Sequence, residues 1–172
     1  MSAKMKTDAN AAHEELVIER TFDAPRELVW RAWTDPTHFV RWWAPKIFTT
    51  PHCTIDLRVG GELHYCMRAS EGEETWKKGI WGKGVFKEIV PPSRLVLDWY
   101  FSNEKGDIVS PAEFGMPEVP RDMLLTVKFE DRDGKTFMRM QQSLPLALAR
   151  KLGAHEGWGQ SFDKLDVLLA TL

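Results

Sequence analysis

The sequence predicts an α+β fold: a curved antiparallel sheet of about six to seven strands wrapped around a long C-terminal helix, with two short helices after the first strand. Three observations predict it. A strand-like segment from Val17 to Phe22 leads directly into two helical stretches, each announced by Asp and Pro. Alternating apolar and polar segments then run from Thr49 to Gln142, separated by turns bearing Gly and Pro. The chain closes on a helical apolar stripe. Hairpin-type connections imply antiparallel pairing, and the terminal stripe is the available cover for the concave face of such a sheet.

Each element has its own justification. Asp23-Ala24-Pro25 stops the first strand, with Asp23 as expected cap and Pro25 at the first helical position. Leu28, Val29, Trp30, Ala32 and Trp33 give that helix its apolar side. Asp35-Pro36 repeats the device for a second helix carrying Phe39, Trp42 and Trp43, and Pro45 ends it. Thr49 to Met67 reads as a hairpin around Val59-Gly60-Gly61-Glu62. Its apolar sets (Cys53, Ile55, Leu57, Val59; Leu63, Tyr65, Met67) share a face only if paired positions sum to an even number, such as Leu57 with Tyr65 and a three-residue turn. That register sends Cys53 and Cys66 to opposite faces and forbids a disulfide.

Ser70 to Thr75 is a polar turn, and Trp76 to Val90 a long strand whose Gly79, Gly82 and Gly84 mark bends or close approach. Pro91-Pro92-Ser93 turns the chain into Arg94–Phe101, with Leu95, Leu97, Trp99 and Phe101 on one face. The loop from Ser102 to Pro120 is long, yet Ile108, Val109, Phe114 and Met116 make it too apolar for a free linker. It is expected to fold back over the body as a flap. Met123–Glu130 and Lys135–Gln142 form a hairpin about Asp133-Gly134, with Met138 and Met140 inward. Leu144–Leu152 forms a short helical segment broken by Gly153 and Gly157. Trp158, Phe162, Leu165 and Leu169 then define the stripe of the last helix, with Asp163 and Asp166 solvated beside it.

The 172 residues, 43% hydrophobic and 28% charged, fit one globular domain over residues 16–172 behind a flexible N-terminal tail, residues 1–15. A net charge of −2 gives no electrostatic case for nucleic acid or an anionic membrane. No apolar run approaches the ~20 residues of a membrane span. The N-terminus lacks an apolar core segment, so no secretory signal is expected. Two cysteines make no disulfide framework, and a cytoplasmic location follows as the expectation.

Particular motifs connect this order to a known group. Phe22-Asp23-Ala24-Pro25, Val29-Trp30-Arg31-Ala32-Trp33, Thr34-Asp35-Pro36, Arg41-Trp42-Trp43, Asp56-Leu57-Arg58-Val59-Gly60-Gly61, the turn Ile89 to Leu95, Val127 to Asp131, and Gly157-Trp158 with Ser161 to Leu165 carry the match. With them the chain resembles the START-like (SRPBCC) helix-grip superfamily, in its branch named after the heat-shock-protein ATPase activator homologue. The resemblance spans roughly Leu16 to Leu172. It implies a hydrophobic cavity between sheet and long helix, filled by lipid-like, polyketide-like or other apolar molecules. In some members of the superfamily the cavity serves a cyclase. The eponymous co-chaperones carry this domain behind another that contacts the chaperone, a domain for which this chain has no room.

The expected ligand-binding set is Tyr65, Met67, Trp81, Trp99, Phe101, Met138, Met140, Trp158 and Phe162, with Tyr65 as the polar handle and the methionines as adaptable wall. No catalytic residue, cofactor or metal is expected. His64 and Cys66 face away from Cys53, so the His/Cys residues do not converge. The glycines near Gly79 sit mid-strand rather than opening a helix, so they make no phosphate cradle. The expected function is binding of a hydrophobic or amphipathic small molecule. The alternatives are a protein-interaction module (with a chaperone or as a homodimer), which an apolar patch at Trp42 and Trp43 or on the flap would mark, and a cyclase or dehydratase.

Overall fold

The computed structural model describes residues 14–172. Among them, seven strands form one antiparallel sheet: β1 (Glu15–Phe22), β2 (Phe48–Ile55), β3 (Glu62–Ala69), β4 (Ile80–Val90), β5 (Arg94–Ser102), β6 (Met123–Arg132) and β7 (Lys135–Pro145). Their spatial order is β1-β7-β6-β5-β4-β3-β2, so the first two strands form the two edges. The helices are α1 (Arg26–Thr34), α2 (Pro36–Trp42), α3 (Glu74–Lys78), α4 (Leu146–Lys151) and α5 (Ala154–Leu169). This is the helix-grip arrangement that the sequence pattern implies. Of the tail expected over residues 1–15, residues 1–13 lie outside the described part, and Glu15 already pairs with Pro145 in β1. No described helix is long and apolar enough to cross a membrane.

The two short helices form where the Pro residues place them. Asp23 does not cap α1, which begins after Pro25 without a side-chain cap. Asp35 does cap α2, accepting from the Thr37 backbone N–H at 2.9 Å with Pro36 in the first turn. Their apolar faces meet at Trp33 and Trp42, whose ring centroids are 4.8 Å apart. The buried Trp42 indole N–H donates to the Ala32 carbonyl at 2.8 Å, so its burial leaves no orphan donor.

The β2–β3 hairpin has the expected parity and a different loop. Cys53, not Leu57, stands opposite Tyr65, and the last pair is Ile55 with Leu63. β2 stops there because the next residues turn on their own backbone bonds, Arg58 N–H to Asp56 O at 2.9 Å and Gly61 N–H to Arg58 O at 2.8 Å. Leu57 and Val59 are therefore exposed, at 41% and 64%, rather than inward. Both cysteines are free, as their opposite faces require.

The segment before β4 also differs from expectation. Residues 74–78 make the short helix α3, which ends on Gly79 at φ 126°, so β4 begins only at Ile80. Gly82 and Gly84 remain within the strand, for a packing reason. A Cβ on Gly82 would overlap the Tyr65 ring and hydroxyl, and one on Gly84 would come within 2.8 Å of Leu97. The β6–β7 turn is the two-residue Asp133-Gly134, both at positive φ.

α5 starts earlier than the sequence suggests. It follows Gly153, whose φ of 77° breaks it from α4, and runs straight through Gly157. Gly157 serves close approach instead, since a Cβ there would lie 3.2 Å from Pro45. Phe162, Leu165 and Leu169 bury the stripe against the sheet. Asp163 and Asp166 are paired rather than merely solvated. Arg20 of β1 donates to them at 2.7 Å and 2.5 Å, tying the edge strand to the helix.

Two glycine substitutions should move stability in opposite directions. Gly82→Ala is expected to cost about 1–3 kcal/mol, because Tyr65 must leave its place. Gly159→Ala, in α5 with nothing within 4 Å of the new Cβ, is expected to add about 0.5–1 kcal/mol. Urea unfolding midpoints at constant m-value measure both.

Candidate functional site

The concave face is filled at one end and hollow at the other. Phe162, Leu165, Met138 and Met140 are fully buried beneath α1 and α2. Toward the N-terminal end of α5 a cavity of about 400 Å³ opens. Its sheet wall is Tyr65, Met67, Ile80, Trp99, Phe101 and Met123, and its helical wall is Ala154, Gly157 and Trp158. Trp43, Pro45 and Phe48, on the segment after α2, close one side. Leu152, Gly153 and Glu156, at the corner between α4 and α5, form an exposed rim.

The flap closes the remaining side. The loop from Asn103 to Asp122 carries a short 3₁₀ turn, Pro111–Phe114, and sends Phe114 and Val119 into the apolar interior. Phe114 lies 5.4 Å from Phe101, ring to ring, while Met116 and Val119 line the cavity. The loop's base is fastened by Val109 N–H to Phe101 O at 3.0 Å and by Lys83 to Gly106 O at 3.1 Å.

Five of the residues singled out from sequence come together on this wall: Tyr65, Met67, Trp99, Phe101 and Trp158. Four do not. Met138, Met140 and Phe162 lie on the same inward stripes but in the packed end, each at 0% exposure. Trp81 is on the other face of the sheet, because it pairs with Cys66 and Ser102 and stacks on His64 at 5.0 Å. Sequence reasoning missed Trp43, the flap residues Met116 and Val119, and Gln142. The signal for Gln142 was present: it continues the inward parity of Met138 and Met140 and is a polar residue on an apolar stripe.

The aromatic wall is braced ring against ring. Trp43 stacks on Phe39 at 4.6 Å and meets Tyr65 edge-on at 5.2 Å and Trp158 at 5.0 Å. Polar groups are few. Gln142 is 3% exposed, and its Oε1 accepts from the Trp158 indole N–H at 3.3 Å. Ser161 Oγ donates to the Gly157 carbonyl at 3.1 Å and is thereby spent. Burial holds the Tyr65 hydroxyl well above the ordinary phenol range, outweighing the opposite pull of the nearby Trp99 and Trp43 indoles. Tyr65 and Glu156 are the only titratable side chains on the described wall, and Glu156 stands at its exposed rim. No described group of three or more His, Cys, Asp or Glu is placed to hold a metal ion. Lys164, behind the wall, donates to the Pro45 and Phe48 carbonyls at 2.9 Å and 2.8 Å, and burial lowers its pKa. It pins the segment after α2 to α5. The arrangement can enclose and orient an apolar molecule.

Cys53, on the strand beside Tyr65, yields a pH prediction. Burial pushes its thiol from 9.0 up to about 12. The folded protein binds this proton more tightly than the unfolded chain, so the stabilisation is complete below pH 9 and is lost between pH 9 and about 12. Urea unfolding across that window should show falling stability with a shallower slope in Cys53→Ala. An equal slope would show that the thiol is not desolvated. Cys66 and Tyr65 add to the slope with the same sign.

Comparison with known proteins places this geometry in a group. Residues 23–170 match the family model described as "Activator of Hsp90 ATPase homolog 1-like protein". Among solved structures, a Nitrosomonas europaea protein is 26% identical with a TM-score of 0.70, covering 93% of this chain and 96% of its own. An Arthrobacter aurescens protein is 25% identical with a TM-score of 0.76, covering 94% and 89%. A Mycobacterium smegmatis protein, 22% identical with a TM-score of 0.74, covers 91% and 93% and shares the fold. No curated protein matches.

Proposed function

The chain belongs to the activator of Hsp90 ATPase homolog 1-like family, and on that premise we propose that it binds a hydrophobic or amphipathic small molecule between the curved sheet and α5. The observation that carries this reading is the cavity itself. About 400 Å³ of aromatic-walled space stands open beside a core whose other large side chains are fully buried. That volume and lining are those of small-molecule sites in general. The wall supplies apolar surface and a few fixed donors, with no nucleophile or acid–base pair facing the space, which supports binding over turnover.

An interaction module would have been favoured by an exposed patch at Trp42 and Trp43. Both are buried, at 0% and 4%, and the flap's Phe114 and Val119 point inward as well. Trp43 and Val119 line the cavity, and Trp42 and Phe114 pack in the core.

Native and then denaturing mass spectrometry of the purified protein should release a co-purified apolar compound. Where the protein emerges empty, added apolar ligands should quench its tryptophan fluorescence. Met116→Trp fills the space from the flap and should weaken that binding at least about ten-fold while the fold persists, since the new ring enters existing space. Unchanged affinity in Met116→Trp would place the ligand elsewhere. A dimeric, ligand-free protein that no apolar compound quenches would favour the interaction module instead.

A further inference from the structure

Inside the rim, the cavity wall offers hydrogen-bond donors that no described residue engages, and on the binding reading above this narrows the ligand class. Gln142 is the first. The Trp158 indole N–H can only donate, so the amide must turn its oxygen toward it, whichever way the side chain is drawn. The Nε2 group, with two hydrogens, then has no acceptor among the described residues, although the side chain is 97% buried by its 3% exposure and lines the cavity. Tyr65 is the second. Its hydroxyl proton has no acceptor among the described residues, and burial keeps that proton in place across ordinary pH. The Trp99 indole N–H on the same wall is buried without a partner and is a further donor there.

One ring neighbours both Tyr65 and the indole that Gln142 engages. Trp43 is 5.2 Å from Tyr65 and 5.0 Å from Trp158, the partner of Gln142. No Lys, Arg or His lines the described wall, and the one charged residue there, Glu156, is an anion at the rim. A carboxylate entering this space would lose its hydration with no cation to replace it. A neutral carbonyl compound would bring an acceptor to donors that no described residue engages. The flat faces of Trp43, Trp99 and Trp158 favour a planar ring system over a flexible chain.

We infer that the cavity selects an uncharged aromatic ketone or related carbonyl compound, held by N–H and O–H donation from Gln142 and Tyr65, and discriminates against carboxylates such as fatty acids. Tyr65 and Gln142 are then the residues that set specificity, while the rest of the wall sets size and shape.

Three probes of one skeleton test this on the full chain: 9-fluorenone, fluorene and fluorene-9-carboxylate, titrated by tryptophan fluorescence and calorimetry. The wild type should bind fluorenone about ten-fold tighter than fluorene and should bind the carboxylate weakest. Tyr65→Phe removes one oxygen and should lower fluorenone affinity about three- to ten-fold with fluorene affinity unchanged, and Gln142→Leu should do the same. Thermal unfolding shows that each variant is folded, and Tyr65→Phe suffices where Gln142→Leu is not. Equal binding of fluorenone and fluorene, or tightest binding of the carboxylate, overturns the assignment of donors while leaving the cavity as a binding site. Binding of none of the three overturns the cavity reading together with it.

Discussion

The contact on which the rest of this structure depends is the burial of Phe162. Its ring lies 6.2 Å from Phe22 at the end of β1, 6.0 Å from Trp42 of α2, 6.3 Å from Trp33 of α1 and 5.6 Å from Trp158 in its own helix. One side chain of α5 thus touches the edge strand and both short helices. A seven-stranded antiparallel sheet with an apolar concave face cannot stand in water without a cover. Phe162 sets where that cover sits, and Arg20, reaching from β1 to Asp163 and Asp166, fixes the same contact from the outside. The second anchor is Gly157 against Pro45, a van der Waals contact that any side chain would widen. Between them, helix and sheet are held together at one end and held apart at the other.

That divergence explains why the cavity survives. An apolar void of about 400 Å³ left dry would cost on the order of 10 kcal/mol, comparable with the whole stability of a domain. Collapse would remove the cost, and the wall is built to resist it. Trp43 is fixed between Phe39, Tyr65 and Trp158, Tyr65 lies across Gly82 in a place that no other residue at Gly82 would leave free, and Lys164 holds the chain after α2 by two carbonyls. Rings braced in this way do not shift to fill space as an aliphatic core does. The space must then be relieved by solvent through the rim or by a ligand. A ligand has the advantage wherever it displaces water that the wall cannot bond well.

Much of this was legible in the sequence because local physics decides it. Asp35-Pro36 starts a helix wherever it stands before an apolar run, and the alternation through Leu95, Leu97, Trp99 and Phe101 leaves no other face to bury. The site was legible only by face. Parity correctly puts Tyr65 and Trp99 on the concave side, but Met138 and Met140 share that side and still miss the cavity, since depth along a strand depends on where α5 touches down. Trp81 lies on the other face because Ile80, Gly82 and Gly84 take the inward positions of β4, and glycines there leave no apolar alternation from which its face could be read. Gly157 read as a helix breaker because propensity is local, whereas its approach to Pro45 joins residues more than a hundred positions apart.

The flap shows how access and closure divide between two kinds of contact. At its base the loop is held by backbone bonds to β5, by the Lys83 bond to Gly106, and by the Asn103 carbonyl bonded to His64 at 3.1 Å. At its tip the polar tie is Lys151 to Glu118 at 3.0 Å, both more than half exposed and so worth under about 1 kcal/mol. The other tip contacts are apolar: Phe114 on Phe101, with Met116 and Val119 over the cavity. Lifting the tip therefore exposes apolar surface and breaks little else, while lifting the base breaks several hydrogen bonds, those of His64 and Lys83 part-buried. A ligand whose apolar surface touches Met116 and Val119 would strengthen the contacts that hold the tip and leave the base as it is. Binding would then stabilise closure through the segment that is otherwise most weakly held, and the strength of that coupling would follow the apolar area that the ligand presents to the flap.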